Sequence, residues 1–203
     1  NFNDFLTVLN SRKRKTIRKE RILANSDVDF QVLSGDDLKK EHMEIFYNFY
    51  LNTVDRKWAH AYLRPEFFSI LRDRMSQKIV LVLARHDGEA VGAALNMLGT
   101  DTLYGRNWGC TKRYRMLYFE ACFYRAIEYA IENKLKKVEA GAQGPHKISR
   151  GYLPTETYSS HWIENSRLDD AVSKFLVQER QQNQLEMDHL HKELSPYRQN
   201  KTV

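Results

Sequence analysis

One hairpin constrains the fold of this chain more than any other feature. Residues 79–84 form an uninterrupted apolar run, which is typical of a strand buried on both faces of a sheet. Asp87 and Gly88 suit a tight hairpin turn, and residues 90–98 return as the partner strand. A second turn at residues 99–101 leads into a third strand over 102–108. These segments predict the centre of an antiparallel sheet.

Helical and strand patterns flank the hairpin on both sides. Before it, apolar spacing and capping residues predict a helix over 2–24, a strand over 28–33, a helix from Asp36 or Asp37 to about residue 53, and a helix that opens at Pro65. After it, they predict a helix over 114–133, strands over 137–140 and 155–163, and a last helix capped by Asp169 or Asp170. This order predicts an α/β (α+β) fold, with a mixed, mostly antiparallel sheet and helices on both faces.

The composition divides the chain into three parts. Residues 1–26 are predicted to be a basic helix or linker, 27–180 the folded domain, and 181–203 a polar helix that ends in a tail. The packed part of the last helix is predicted to be Ala171, Val172, Phe175, Leu176 and Val177.

The net charge of +6 comes from one local run. Residues 11–21 carry seven basic side chains against Glu20, whereas the rest of the chain holds 25 basic and 25 acidic groups. As a helix, this run would present a cationic face that includes Arg14 and Arg18, which suits the phosphate of a nucleic acid, a nucleotide carrier or a lipid head group. The alternative is a solvated helix face without a ligand.

Several classes of protein are excluded by what the sequence lacks. No apolar run reaches the roughly 18 residues of a membrane span, and no secretory signal precedes the first helix. Cys110 and Cys122 lack the spacing of metal ligands, so we predict no metal site and a reducing, cytoplasmic location. The serine-hydrolase elbow, the Walker A loop and the dinucleotide fingerprint are all missing. Because the chain begins in mid-pattern at Asn1, we expect a fragment of a longer protein.

The segment 141–154 is predicted to be a shaped loop. It contains three glycines and two prolines, which direct the backbone, and between them lie polar and cationic side chains. Such loops on a rigid scaffold often carry binding or catalytic groups. The candidate residues here and on the following strand are Gln143, Gly144, His146, Lys147, Arg150 and His161. The alternative is a structural turn with solvated basic residues.

The end of the third strand is a second candidate site. Tyr104, Arg106 and Trp108 stand among glycines there, just before a helix. Basic residues near that helix start, Arg113 among them, could receive a phosphate together with free backbone N–H groups. The alternative is a hydrated connection in which Trp108 packs on the core.

Glu120 is predicted to lie on the buried stripe of the long helix, with Phe123, Tyr124 and Ile127. Glu128 and Arg125 are predicted to lie on the solvent side. A buried carboxylate needs a partner, or its pKa rises through desolvation. Glu120 is therefore a candidate acid or base, and the alternative is a structural ion pair with an Arg or Lys at the edge of the core.

The element order and local motifs resemble one acyltransferase family. The segments that carry the resemblance are residues 11–21, 103–109, 119–128, 139–147, 150–154 and 160–163. They are similar to the bacterial FemAB-like predicted N-acyltransferases labelled peptidoglycan biosynthesis/recognition, which have the GNAT fold. The resemblance spans roughly residues 5–179. It implies that this chain is the C-terminal half of a protein built from two GNAT-like halves, and that it packs against the missing half.

The resemblance implies N-acyl transfer to an amine, supplied by a small molecule or a cell-wall precursor. The co-substrate would be an acyl-CoA or an aminoacyl-tRNA, with no tightly bound cofactor, and both tRNA binding and a homo-oligomer are compatible with it. Residues 109–115 depart from the family pattern of acetyl-CoA enzymes, because the glycines of their Arg/Gln-x-x-Gly-x-Gly/Ala loop are missing. This departure leaves the donor open between the two carriers.

Each candidate residue has an expected role in such a reaction. Glu120, His146 or Lys147 would be catalytic, with proton handling by Glu120 or His146, and Lys147 with Arg150 would hold an anionic part of the substrate. Gln143 and the backbone near Gly144 would stabilise an oxyanion. The remaining candidates would line the substrate cleft (Tyr104, Arg106, Trp108, His161) or bind phosphate (Arg14, Arg18, Arg113). Two rival hypotheses are a non-catalytic module that binds a cell-wall precursor or an anionic polymer, and a half that mainly packs on its partner.

Overall fold

The computed structural model describes residues 1–56, 60–112, 114–142 and 144–198. The chain forms two compact units, Asn1–Gln143 and Gly144–Val203. The first unit contains a five-stranded sheet and its covering helices, and the second contains a short turn and one long helix. No helix in the described part of the chain is long and apolar enough to cross a membrane.

The sheet of the first unit confirms the prediction of a mixed, mostly antiparallel architecture. Its strands follow one another in chain order: β1 (Asp29–Leu33), β2 (Ile79–His86), β3 (Glu89–Leu98), β4 (Thr102–Cys110) and β5 (Lys137–Glu139). The pairs β1–β2, β2–β3 and β3–β4 are antiparallel, whereas β4–β5 is parallel. The predicted hairpin is β2–β3, and Asp87 and Gly88 both have positive φ in its turn.

Helices cover both faces of this sheet, as predicted. Those before the hairpin are α1 (Phe2–Val8), α2 (Ser11–Ala24), α3 (Lys40–Arg56) and α4 (Pro65–Met75). After β4 come α5 (Leu117–Phe119), a π-helical segment (Glu120–Tyr124) and α6 (Arg125–Glu132) in direct succession. The second unit holds a 3₁₀ turn (Pro145–Arg150) and α7 (Ser166–Glu193).

Successive side chains of β2 point to opposite faces of the sheet, so this one strand packs against helices on both faces. Ile79, Leu81 and Leu83 lie in one core cluster, together with residues of α3 and α4. Val80 and Val82 belong to clusters on the opposite face, which include residues of the π segment and α6. Because β2 is buried on both faces, its sequence is apolar at every position from 79 to 84.

Three helix predictions were wrong in their extent. The predicted helix over 2–24 is two helices, which are separated at Leu9 and Asn10. Leu9 has an extended backbone and is fully buried. The Asn10 side chain caps α2 by accepting a hydrogen bond from the backbone N–H of Lys13. The helix predicted from residue 114 begins instead at Leu117, after Met116 in a left-handed conformation. Asp36 and Asp37 lie in a 3₁₀ turn, and α3 starts only at Lys40.

Two predictions for the second unit were also wrong. Residues 155–163 form no strand, since alternation stabilises a strand only where a neighbour supplies ladder hydrogen bonds, and no described strand pairs with this segment. Helix α7 starts after the cap Asn165 rather than Asp169 or Asp170, and it buries no residue. Phe175 is 60% exposed and Val177 is 56% exposed, so the predicted packed part of this helix is not packed.

The close approach of α3 to the end of β4 depends on Gly109. A Cβ atom at this position would lie 2.2 Å from the backbone oxygen of Phe49. The approach lets Thr53 donate a hydrogen bond to the Trp108 carbonyl at 3.0 Å, and Arg56 donate to the Cys110 carbonyl at 3.0 Å. The C-terminal turns of α3 therefore fix the end of β4.

A Gly109→Ala substitution should lower the free energy of unfolding by at least about 2 kcal/mol, because the added methyl group forces α3 away from β4. Chemical denaturation measures this change. Gly88→Asn is the matched control, since nothing lies within 4 Å of a Cβ at Gly88 and asparagine tolerates its positive φ. Equal stability of the two variants would contradict the proposed role of Gly109.

Candidate functional site

Strands β4 and β5 separate after a short parallel contact. They pair only at Thr102–Lys137, Leu103–Val138 and Tyr104–Glu139. Beyond Tyr104, β4 continues to Cys110, whereas β5 ends at Glu139. The β4 edge that faced β5 has no strand neighbour from Gly105 onward among the described residues, and such an edge can hydrogen-bond an extended ligand.

A β-bulge lies where the two strands separate. Asn96 pairs with Gly105 and Leu95 pairs with Asn107, so Arg106 is the extra residue on β4. Buried Asn96 stabilises the irregularity by donating to the Val80 carbonyl at 3.0 Å. Tyr104 and Arg106 are exposed here, and Arg106 donates to the Tyr62 hydroxyl at 3.2 Å. Bulges of this kind are common beside active sites because they redirect side chains.

An open cavity of about 290 Å³ lies at the end of β4, and we call it the β4 cavity. It is lined by the last turn of α3, the end of β4 and the start of the helical segment that follows: Arg56, Trp108, Cys110, Lys112, Tyr114, Leu117 and Tyr118. Trp108 packs edge-on against Tyr118, with ring centroids 5.7 Å apart. The predicted cleft residue Trp108 therefore lines a real cavity.

The charged groups of the β4 cavity are cationic. Arg56 donates to the backbone carbonyls of Asn52 and Cys110, and no carboxylate in the described part of the chain pairs with it or with the exposed Lys112. Arg56 is already held by these carbonyl groups, so its guanidinium is oriented before any ligand binds. An uncompensated pair of cations beside aromatic walls suits an anionic group, phosphate above all.

Glu120 lies in a buried ion-pair network. It is fully buried, and Arg21 of α2 donates to both of its carboxylate oxygens, with the shortest distance 2.9 Å. The Nε of Arg125 lies 2.9 Å from the same carboxylate. Arg21 and Arg125 also bind Glu128, which therefore belongs to the network rather than to the solvent side alone. This geometry favours the structural ion pair over an acid or base that exchanges protons with a substrate.

The network fastens the basic helix to the core. Burial alone lowers the pKa of Arg21, but hydrogen bonds and charges from Glu128 and Glu120 outweigh it, so the pKa lies above its ordinary value. The Arg21 guanidinium also stacks on the Phe2 ring, 4.3 Å from its centroid. One residue earlier, buried Glu20 accepts a hydrogen bond from the hydroxyl of Tyr124. Two successive residues of α2 are thus bonded to the π segment.

The predicted loop residues of the second unit form a tight 3₁₀ turn. Gly144 and Gly151 flank it, both with φ near +100° (106° and 101°), which glycine adopts without strain. The guanidinium of Arg150, 7% exposed, donates to the His146 carbonyl at 2.8 Å and to Ser149. Arg150 therefore stabilises the turn that presents His146 and Lys147.

His146 has the electrostatics of a neutral imidazole. Burial lowers its pKa from the ordinary 6.5, and the positive charges of Arg150 and Lys147 lower it further. At neutral pH the ring is uncharged, so one of its nitrogens can accept a proton. His161 differs, because it is exposed in an irregular segment and contacts only Ser159 among the partners that the structure shows, at 2.9 Å.

The remaining candidates lie in different places. Arg18 is exposed on the outward part of α2, whereas Arg14 is half-buried and lies three residues before buried Ile17. Gln143 and Arg113 lie outside the described residues. In the described ranges, no group of three or more His, Cys, Asp or Glu side chains converges as metal ligands would.

Sequence reasoning missed the residues that complete both arrangements in the first unit. Arg56, Cys110 and Tyr114 line the β4 cavity, and Arg21, Arg125 and Glu128 surround Glu120. Gly109 was the available signal for the first set, since a glycine late in a strand can mark a close backbone approach. The second set had no local signal, because 99 positions separate Arg21 from Glu120.

Replacing Glu120 by Gln should lower the free energy of unfolding by about 3 kcal/mol, because it leaves two arginines partly buried beside a neutral group. Thermal and urea unfolding measure the effect. Glu132→Gln, on exposed α6 surface without an ion pair that the structure shows, should change stability by less than about 0.5 kcal/mol. A stable Glu120→Gln protein with abolished transfer would instead favour a chemical role for this carboxylate.

Solved structures with a similar fold have low sequence identity to this chain. FemX superposes with a TM-score of 0.51 at 13% identity, over 66% of this chain and 48% of FemX. The C-terminal domain of a putative lysylphosphatidylglycerol synthetase from Agrobacterium fabrum gives 0.50 at 13% identity, over 64% of this chain and 42% of that one. An aminoglycoside acetyltransferase from an uncultured soil sample gives 0.49 at 9% identity, over 70% and 97%.

These likenesses concern the fold alone, and the fold is the GNAT-like α/β arrangement that the motifs predict. The matched part amounts to about half of FemX. Comparison with curated proteins gives no significant match. A family model described as FemAB-like, peptidoglycan biosynthesis/recognition, matches residues 1–199, almost the whole chain. The chain therefore belongs to the FemAB-like family.

Proposed function

We propose that this protein is an N-acyltransferase that moves an acyl or aminoacyl group from an activated carrier to an amine. The observation that carries the proposal is the β4 cavity, where Arg56 and Lys112 have no carboxylate partner among the described residues. The cavity lies at the end of a strand whose edge has no described strand neighbour after Tyr104. The family and the transferase folds of FemX and the synthetase domain support it. The family description supports a cell-wall precursor as the acceptor.

The donor is proposed to bind by its phosphate and by its extended arm. Arg56 and Lys112 would hold the phosphate in the β4 cavity, and Trp108 and Tyr118 would cover its apolar part. The unpaired edge of β4 would hydrogen-bond the arm. Both proposed carriers, an acyl-CoA and an aminoacyl-tRNA, offer such a phosphate. Either would be a co-substrate rather than a resident cofactor.

The reaction itself needs one nucleophile and one proton acceptor. The amine nitrogen attacks the carbonyl carbon, a new C–N bond forms, and the bond to the carrier sulfur or oxygen breaks. The amine loses a proton, and the leaving group gains one. We propose His146 as the acceptor of the amine proton because its imidazole is neutral at neutral pH. Lys147 is proposed to bind an anionic part of the acceptor.

The reaction class is tested by incubating the full chain with acyl-CoAs or aminoacyl-tRNAs and a panel of amine acceptors. Mass spectrometry should detect an acceptor heavier by the acyl group, formed only with protein. Acceptor or polymer binding without transfer from either donor would overturn the proposal in favour of a non-catalytic GNAT-like module.

Lys112→Ala should raise the KM for the donor about tenfold and leave kcat within about twofold, because it removes one phosphate contact made equally in ground and transition states. Steady-state kinetics at varied donor concentration separate the two constants. Lys78→Ala, an exposed lysine outside the cavity, is the control and should match the parent protein. A loss in kcat with an unchanged KM would contradict the assignment of Lys112 to the donor.

His146→Gln should lower kcat by about 10²-fold or more, as expected for loss of a general base. In the parent protein, kcat should rise with pH through a pKa below 6.5 and then level off, since burial and two cations keep the imidazole uncharged. Lys147→Gln removes one of those charges, so the acidic limb should move to higher pH. His189→Gln, at an exposed histidine of α7, is the control, and an equal loss in it would contradict the role of His146.

A further inference from the structure

We propose that the outward face of α2 binds the phosphate backbone of a nucleic acid. This α2 basic face consists of four exposed side chains: Arg12, Lys15, Arg18 and Lys19. Lys13 and Arg14 are half-buried, because they lie four and three residues before buried Ile17. The inference goes beyond acyl transfer, because it concerns a surface of the first unit that takes no part in the proposed chemistry.

The cations of the α2 basic face are not neutralised by the protein. The structure shows no ion pair and no side-chain hydrogen bond between any of the four and another residue of the described ranges. The seventh basic residue of the run, Arg21, is the one that the fold uses, in the network with Glu120. Outside this run basic and acidic groups balance, so the whole net charge of +6 resides here.

The arrangement opposes the stability of the helix that carries it. The first turn of α2 contains no acidic residue, and its cations face the positive end of the helix dipole. Arg14 and Arg18, and likewise Lys15 and Lys19, are like-charged pairs four residues apart, which repel each other. Folding alone does not account for this pattern, whereas an anionic ligand would turn each of these repulsions into an attraction.

The opposite side of α2 makes the face a rigid platform. Ile17, Glu20 and Ala24 are buried, Glu20 is bonded to Tyr124, and Arg21 is bonded to Glu120. The helix axis is therefore fixed on the core, while the cationic side chains remain free to adjust to a ligand.

The chemistry of the face favours nucleic acid over a lipid bilayer. A helix that binds a membrane surface inserts an exposed apolar side, but the apolar side of α2 is buried in the protein. Its only strongly exposed large apolar residue among the described ones is Ile22, at 71%. Two arginines and two lysines on one exposed helix face suit phosphate groups. Residues four apart on the helix are about 6 Å apart along its axis, which allows contacts to several phosphates of one backbone.

The experiment measures binding of the full chain to a fluorescently labelled RNA stem–loop by anisotropy, without any acyl donor or acceptor. We expect binding in about 50 mM salt that weakens roughly 100-fold by about 200 mM, as for about four phosphate contacts. Lys15→Glu combined with Arg18→Glu should weaken binding at least tenfold. The double variant should keep its melting temperature, since glutamates in the first half of a helix favour it.

The matched control is Arg74→Glu combined with Lys78→Glu, which makes the same charge change on exposed residues of α4 and its following turn. This control should bind RNA within about twofold of the parent protein. Equal losses in the two double variants, binding that ignores salt, or binding to anionic phosphatidylglycerol vesicles in place of RNA would each overturn the proposal. Loss of transfer activity with intact RNA binding would count against the proposed function alone.

Discussion

The first unit depends on one carboxylate that solvent does not reach. Glu120 is fully buried, and an ionised carboxylate is tolerated there only because Arg21 and Arg125 surround it. The same contacts join α2 to the π segment, and through it to the helix that closes the β4 cavity. Removing the carboxylate or its arginines would leave an unpaired charge in the core. The position of α2, the ion-pair network and the helical wall of the β4 cavity therefore depend on one another.

The network also separates two uses of positive charge in one short helix. Arg21 points inward and stabilises the fold, whereas the four cations of the α2 basic face point away from it. At the other end of the unit, Gly109 lets α3 approach β4, and this approach brings Arg56 to the cavity. The cationic lining of the β4 cavity and the α2 basic face are thus separate anion-attracting surfaces, which the fold holds by different means.

Local sequence patterns were sufficient to predict part of the fold. The apolar run of β2, the turn at Asp87 and the return of β3 were predictable, because a hairpin depends on neighbours in sequence. The strand expected at 155–163 and the packed stripe of α7 were not, because both require a partner that no local pattern specifies. The burial of Glu120 was predictable from helical spacing, and the alternative of an ion pair was foreseen. Its partner Arg21 was not, since only the tertiary fold brings the two together.

The residues of the candidate site were likewise predictable only where a local pattern marked them. Trp108 was identified from its position at a strand end, and it does line the β4 cavity. Arg56 comes from a helix about 50 residues earlier, and no local pattern marked it as a site residue.

The most direct test of the donor site is amide chemical-shift mapping of the labelled protein during titration with coenzyme A, and separately with a short RNA that ends in CCA. The account predicts that one of these probes shifts the amides of Gly109, Cys110 and Lys112. Amides at these three residues that stay unchanged with both probes would contradict it.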